Sequence, residues 1–252
     1  SCSNRKGEYV IMKQVIVMAA GLGSRLKELT KETPKPLLKV NGKPMLETNI
    51  EYMIDAGIDR VVIIIGYLKE KFLYLKEKYQ GQIEIIFVEN NRYADFNTVY
   101  SMFCARNEFV CDSYFTTADN YLLENLYKKY QADYSFYLLR PAQHFEKEEW
   151  TVQLDSDLRF VSVDLCGHDG NSYSGVSFWK QNDLMYIKDR LEEVDWKATQ
   201  TKKMYWDNVL LPHLKEFPVH AKILEDNKEF YEVDDKDDLE TLTKYLKGDC
   251  KL

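Results

Sequence analysis

Hydrophobic runs alternate with mixed segments through the first half of the chain. "QVIVMAA" (Gln14–Ala20) is almost wholly apolar, and so is "RVVIIIG" (Arg60–Gly66). Runs of this kind predict strands covered on both faces. "QIEIIFVEN" predicts a third strand, and "SYFTTADN" a fourth that ends in acid. Between them lie segments with helical spacing: "PMLETNIEYMIDAG", begun by Pro44 and ended by Gly57, then "LKEKFLYLKEKY", then "NTVYSMFCARNEF". Apolar strands that alternate with helices predict a parallel sheet with helices on both faces.

The pattern changes after residue 140. "WTVQLDSDLRFVSVDL" predicts a hairpin turned at Asp155–Asp157, and "YSGVSFWK" a further strand. "NDLMYIKDRLEEV" and "DNVLLPHLKEF" have helical spacing, and "DKDDLETLTKYLKG" closes the chain as a helix. The expected fold class is therefore α/β. A Rossmann-like, mostly parallel sheet carries a small antiparallel lid insertion, mainly from about 140 to 215. Residues 12–252 read as one domain, and residues 1–11 as a leader ahead of it.

Composition narrows the classes. The chain has 252 residues, of which 45% are hydrophobic and 30% charged, enough to bury a sizeable core. The net charge of −7 argues against nucleic acid or an anionic membrane as the main partner. No apolar run has membrane-spanning length, and "SCSNRKGEYVIM" lacks the apolar stretch of a secretory signal. The five cysteines are scattered without a CxxC, which favours reduced thiols over zinc ligands or a disulfide framework. Together these features suggest a cytoplasmic protein.

The candidate chemistry begins at "MAAGLGSRLKELTKETPKPL" (Met18–Leu37). A glycine loop just beyond a parallel strand can turn its backbone N–H groups onto an anion. Gly21 and Gly23 allow unusual backbone conformations and a close ligand approach, while Arg25 and Lys35 add fixed positive charge. A dinucleotide fingerprint needs a third glycine where Leu26 stands, and an acid where "VVIIIG" ends in Gly66. A Walker loop needs Gly-Lys-Ser/Thr, which "GLGSRL" lacks.

"AAGLGSRL…TPKPLLKVNGKPML" resembles the signature of nucleotidyltransferases that activate phosphorylated sugars and alcohols. "GYLKEKFLYLKEKY", "YADFNTVYSM", "ADNYL", "SGVSFW", "YWDN" and "YEVDDKDDL" extend the resemblance, across most of the chain from Met12, to the bacterial CTP:phosphocholine cytidylyltransferases. The resemblance implies that CTP and phosphocholine are the substrates and Mg²⁺ the cofactor. Arg25, Lys35 and Asp119 would be catalytic. The nucleotide would lie against Ala20, Gly21, Gly23, Ser24, Arg25, Lys35, Asn97 and Thr98. Thr98 departs from the Asn-Asn pair expected in close relatives. The resemblance also allows for a choline kinase as a fused or functional partner.

Two acids match the family's metal-binding aspartates: Asp119, at the end of an apolar strand, and Asp234, after "FYEV". Carboxylates are the protein ligands that Mg²⁺ prefers. Asp235, Asp237 and Asp238 read instead as helix-capping residues. None of the four histidines sits in a readable motif. A phosphomonoester, with a second pKa near ~6, is already ionised at neutral pH and needs no general base.

The 18 tyrosines, 12 phenylalanines and 4 tryptophans are mostly core. Three clusters fall where a lid would face the active edge: "EEW", "NSYSGVSFW" and "KMYWDN". A quaternary ammonium has no N–H to donate and is held by aromatic faces and a nearby carboxylate, at about 0.5–2 kcal/mol per ring. By resemblance, Trp150, Tyr205 and Asp207 would hold the choline, with Tyr173 and Trp206 beside them. A sugar-1-phosphate nucleotidyltransferase is the nearest alternative, but "YADFNTVYSM" replaces the Gly-Thr-Ala stretch typical of those enzymes. A non-catalytic nucleotide-sensing domain is the alternative of another class. It has no need of Arg25, Lys35 and Asp119 together.

Overall fold

Strand β1 (Lys13–Met18) has Val15, Ile16 and Val17 at 0% exposure, because it lies mid-sheet between two layers. β2 (Arg60–Ile65) pairs parallel to it on one side, and β3 (Glu84–Glu89) lies parallel beyond β2. β4 (Asp112–Thr117) pairs parallel on the other side. This is a computed structural model, and the residues it describes are 2–3, 9–10 and 12–252. The leader expected over 1–11 lies outside them, apart from the antiparallel pairs Cys2–Val10 and Ser3–Tyr9.

Strand alternation sorts the apolar side chains into two layers. Val15, Val17, Val61 and Ile63 face one core. It is closed by Leu46, Ile50 and Met53 of α1 (Met45–Asp55) and by Leu75 of α2 (Tyr74–Lys78). Ile16, Met18, Val62 and Ile64 face the other, closed by Val99, Met102 and Ala105 of α3 (Thr98–Ala105). A short strand β5 (Asn120–Leu122) and α4 (Leu126–Lys129) follow β4.

The second half joins the same sheet. β6 (Phe136–Leu139), a long β7 (Gln143–Leu154) and β8 (Phe160–Trp179) come first. They are followed by α5 (Gln181–Glu192), β9 (His220–Ile223), β10 (Phe230–Glu232) and α6 (Lys236–Leu246). The sheet order is β9–β6–β8–β4–β1–β2–β3, with β7 paired to β8. β8 runs antiparallel to both β4 and β6, so the sheet is parallel on one side and mixed on the other.

Several expectations need correction. The hairpin strand and "YSGVSFWK" are one continuous strand, β8. Its end, Val176–Trp179, is buried in the sheet between β4 and β6. The helix α5 packs its Leu184, Ile187 and Leu191 into the second layer. The lid expected over about 140–215 therefore shrinks to the β7–β8 hairpin, because Val176–Trp179 and α5 carry too much apolar surface to sit in an exposed insertion. "LKEKFLYLKEKY" splits into a 3₁₀ turn at Lys69–Phe72 and α2. The three-residue spacing of buried Phe72 and Leu75 suits the tighter turn. "DNVLLPHLKEF" makes only 3₁₀ turns at Trp206–Val209 and Leu211–His213. Pro212 has no N–H, and its ring blocks a continuous helix there.

A bulge in β8 aims one side chain at the site. The pairing of β6 with β8 runs Phe136–Phe178, Tyr137–Ser177 and Leu138–Val176, then jumps to Leu139–Tyr173. Ser174 and Gly175 are the extra residues. The Ser174 hydroxyl donates to the Leu138 carbonyl at 2.6 Å. Gly175 has φ 83°, and a Cβ there would lie 2.8 Å from both Asn120 Nδ2 and Thr117 Oγ1. Bulges redirect side chains in this way. The substitution Gly175→Ala should therefore lower the unfolding free energy by about 1–3 kcal/mol, from a left-handed backbone plus a clash. Urea denaturation checks this, and an unchanged midpoint would show that the bulge tolerates a side chain.

Candidate active site

The loops after β1 and β4 meet the start of α3 and the chain after β10 around a cavity of ≈ 370 Å³. Ala20, Gly21, Gly23, Ser24, Arg25, Lys35, Asn97, Thr98, Asp119 and Asp234 all line it. The two glycines differ. Gly23 has φ 61° and opens the 3₁₀ turn Ser24–Thr30, and a Cβ there would press on Lys35 and Thr30 at 3.1 Å. Gly21 is not in the left-handed region, and a Cβ on it would meet nothing. The expectation that both glycines serve an unusual backbone holds only for Gly23. Gly21 leaves open space beside the loop.

Charge is concentrated on one side of this cavity. Arg25 Nη1 lies 2.6 Å from Asp234 Oδ2. Lys35 Nζ lies 3.3 Å from Asp234 Oδ1 and 3.5 Å from Asp119 Oδ2. Lys35 is held in place, with 11% of its side chain exposed, whereas Arg25 projects into solvent at 68%. A third carboxylate, Glu232, joins the cluster: one oxygen of each of Asp119, Glu232 and Asp234 lies within 4.8 Å of the others. Glu232 pairs with Arg140 at 2.9 Å. Burial, then the neighbouring Asp119, pushes the Glu232 carboxyl above its ordinary range, and Arg140 pulls it back. An all-oxygen, anionic donor set of this kind suits a hard divalent cation.

Glu232 and Arg140 are not among the site residues that the sequence predicts. A signal for Glu232 existed: in "YEVD" it stands two residues before Asp234 on an extended chain, so both can face the same side. Arg140 had none, since only the fold brings it to β10. The acids after Asp234 behave as expected for a cap. The Asp235 carboxylate accepts the N–H groups of Asp237 and Asp238, and Asp238 accepts those of Asp234 and Asp235.

A second cavity of ≈ 450 Å³ opens from the first, sharing Arg25, Asn97, Thr98 and Asp119 as its wall. Trp150, Tyr173, Tyr205, Trp206 and Asp207 line it, together with Glu149, Tyr137 and Arg140. Trp150 meets Tyr173 edge-on at 5.9 Å and Tyr205 at 5.5 Å. Tyr205 is 47% exposed and stands at the mouth. Trp206 differs from these rings. It is 4% exposed and packs against Phe115, Tyr137 and Trp179. Its indole is mainly packed in the core and reaches the cavity as part of its wall. Asp207 accepts the Tyr137 hydroxyl at 2.6 Å. Burial pushes its carboxyl up to about 7, although the Tyr137 hydrogen bond opposes the shift.

Comparisons with known proteins agree with this geometry. The nucleotidyl transferase family model matches residues 14–135, which span β1 to the start of β6. Choline-phosphate cytidylyltransferase of Streptococcus pneumoniae is 34% identical over 236 residues, covering 94% of this chain and 99% of that protein. The chain belongs to the nucleotidyl transferase family. The choline-phosphate cytidylyltransferase of Haemophilus influenzae is 33% identical to this nucleotidyltransferase, covering 88% of this chain and 93% of that one. A 2-aminoethylphosphonate cytidylyltransferase of Lancefieldella rimae is 30% identical, covering 86% of this chain and 89% of that one. The solved structure of CTP:phosphocholine cytidylyltransferase from Streptococcus pneumoniae superposes with a TM-score of 0.82 at 36% identity, over 94% of this chain and 100% of that one. UDP-glucose pyrophosphorylase, at 12% identity and TM-score 0.75, shares the fold. Among the described residues, no helix of this nucleotidyltransferase is long and apolar enough to cross a membrane.

The buried Asp207 carries a stability consequence. An ordinary aspartate carboxyl sits near 3.8, and burial pushes this one up to about 7. Its contribution to stability is thus full at low pH and is lost as pH rises through the folded value. The Asp207→Asn protein should melt above the wild type near about pH 8, and the gap should close towards about pH 4. Thermal melts across that range check it, and a gap that does not vary with pH would place the carboxyl in water.

Proposed function

We infer that this nucleotidyltransferase transfers CMP from CTP to phosphocholine, giving CDP-choline and pyrophosphate. The observation that carries this reading is the pair of joined cavities. One is lined by glycine loop, Arg25 and Lys35; the other is walled by Trp150, Tyr173, Tyr205 and Asp207. A polyphosphate suits the first, and a trimethylammonium group suits the second. Phosphocholine carries both charges, so it can span the shared wall with its phosphate facing the nucleotide. The named relatives that act on choline phosphate support the same assignment.

The reaction asks little of acid–base groups. An oxygen of the ionised substrate phosphate forms a bond to the α-phosphorus of CTP, and the bond from that phosphorus to the β-phosphate bridging oxygen breaks. Pyrophosphate leaves with that electron pair. No proton need be removed from the attacking oxygen. The work is positioning and charge neutralisation. Lys35, fixed between Asp119 and Asp234, holds its ammonium beside the phosphates. Arg25, exposed and paired among the described residues only with Asp234, could exchange that carboxylate for the leaving pyrophosphate. Asp119, Asp234 and Glu232 would hold Mg²⁺. When bound, the metal supplies Lewis-acid neutralisation of the phosphate oxygens. Asp207, when ionised, faces the ammonium with its negative charge.

Pyrophosphate release should be measured for each NTP with phosphocholine, phosphoethanolamine, 2-aminoethylphosphonate and glucose 1-phosphate. CTP with phosphocholine should be the most efficient pair. Faster turnover of glucose 1-phosphate would move the chain among the sugar enzymes. Chelation should abolish release and Mg²⁺ restore it, and Asp119→Asn should lower kcat by about 100-fold or more in a folded protein. Wild-type turnover by that variant would remove Asp119 from the mechanism.

Head-group selection has its own test. Trp150→Ala or Tyr205→Ala should lower kcat/KM for phosphocholine about 5- to 30-fold and narrow its lead over phosphoethanolamine, whose compact ammonium gains less from aromatic faces. If neither variant moves the ratio of the two efficiencies, these rings are packing only.

A further inference from the structure

The two cavities are stitched together at the first turn of α3. The segment Lys202–Asp207, which carries Tyr205 and Asp207, lies against that turn through three hydrogen bonds. The Asn97 N–H donates to the Lys202 carbonyl at 3.0 Å, and the Val99 N–H to the Met204 carbonyl at 3.4 Å. The third runs the other way: the Trp206 N–H donates to Thr98 Oγ at 3.0 Å. Upstream, Trp196 anchors the same segment on the aromatic face of Phe96, Tyr100 and Phe103, with ring centroids 4.8–5.5 Å apart.

These links are not equivalent. The first two join backbone to backbone, so any residue except proline can make them. The third exists only because residue 98 carries a hydroxyl. Its donor, Trp206, is buried, so its N–H has no water to turn to if the acceptor is lost. It is also the pivot of the head-group site. Tyr205 precedes it and meets Trp150; Asp207 follows it and accepts Tyr137. Thr98 itself lines both cavities. The backbone N–H of Thr98 is taken as well, by the Asn97 side chain at 2.8 Å. With the N–H groups of Asn97, Thr98 and Val99 all spent within the protein, this helix start is organised to hold a segment of chain.

We propose that Thr98 is a positioning residue that sets the phosphocholine head-group site through the Trp206 N–H, and so couples that site to the nucleotide-side helix. This rests on the functional reading above. It places the main effect of residue 98 on the second substrate, not on CTP, although the side chain borders both cavities.

The experiment is steady-state kinetics of pyrophosphate release with CTP and phosphocholine varied in turn. Thr98→Val keeps the shape and removes the acceptor, and Thr98→Ser keeps the hydroxyl. Thr98→Val should raise KM for phosphocholine about five- to tenfold, the loss of one hydrogen bond, and should raise it severalfold more than it raises KM for CTP. Thr98→Ser should restore wild-type values. Because the effect is routed through Tyr205 and Asp207, Thr98→Val should add less than about twofold when introduced into Tyr205→Ala. Thr98→Ala serves as the second acceptor-free variant if Thr98→Val melts well below the wild type, with the same expectations. The proposal is overturned by an unchanged phosphocholine KM, by a CTP KM that rises as much, by a serine variant that behaves like valine, or by a full additive effect on Tyr205→Ala. A wild-type protein that releases no pyrophosphate with CTP and phosphocholine would sink the functional reading and this proposal together. An active wild type with an unshifted Thr98→Val sinks this proposal alone.

Discussion

Three carboxylates that converge within 4.8 Å repel one another, and the active edge is arranged around that repulsion. Lys35 lies between Asp119 and Asp234, Arg25 closes on Asp234, and Arg140 takes Glu232. The positive groups come from three separated parts of the chain: the glycine loop, the 3₁₀ turn at Lys35–Leu37 and the end of β6. Each ion pair thus ties a loop to the sheet edge. Two of these cations, Arg25 and Lys35, also line the first cavity, while Arg140 lines the second. In the proposed reaction a phosphate chain and a divalent ion would supply the same charges in the opposite arrangement, so partners would exchange without exposing a bare charge.

The second cavity solves a different problem. It is lined by carboxylates, and keeps one of them, Asp207, under aromatic cover. Burial holds the Asp207 carboxyl near about 7, with Tyr137 as its hydrogen-bond donor. A trimethylammonium group cannot donate a hydrogen bond, so its recognition relies on faces and charge. Trp150, Tyr173 and Tyr205, which line this cavity, come from β7, from the bulged part of β8 and from the segment before the 3₁₀ turn at Trp206. Their convergence depends on the Ser174–Gly175 bulge, which turns Tyr173 towards Trp150. It also depends on the α3 contact that fixes Tyr205.

The sheet makes both sites rigid where they must be. β1 and β4 are buried on both faces, and their carboxyl ends carry the glycine loop and Asp119. β8 begins as half of the hairpin and then enters the sheet antiparallel to β4. Within that hairpin β7 is flanked on both edges near its middle, where Thr151 faces both Asp164 and Ser172. The lid therefore grows directly out of a core strand and needs no flexible linker. Its aromatic Trp150 sits beside this doubly paired region, which accounts for its firm placement over the second cavity.

Local chemistry was legible in the sequence by itself. Short, β-branched apolar runs bounded by turn signals suit strands covered on both sides, so "QVIVMAA" and "RVVIIIG" pointed to a parallel layered sheet. A glycine loop after such a strand, followed by Arg25, Lys35 and an acid at a strand end, is a local pattern that suits a phosphate and a metal ion. Partnerships between distant residues were not legible, because nothing in a one-dimensional pattern encodes which side chains meet. Glu232 enters the carboxylate cluster and Arg140 reaches Glu232 because β10 crosses the open edge of the site. Trp206 is core while its neighbour Tyr205 is exposed, because a 3₁₀ turn sends adjacent residues in different directions. Pro212 could have warned against a helix there. The single strand β8, read as two pieces, shows the same limit: polar "DLCGHDGN" looks like a loop, and only pairing across β7 makes it strand. The sequence by itself determined the layers and the chemistry at the strand ends. Tertiary structure decided which charges cancel and which rings face the ligand, since both depend on packing between segments far apart in the chain.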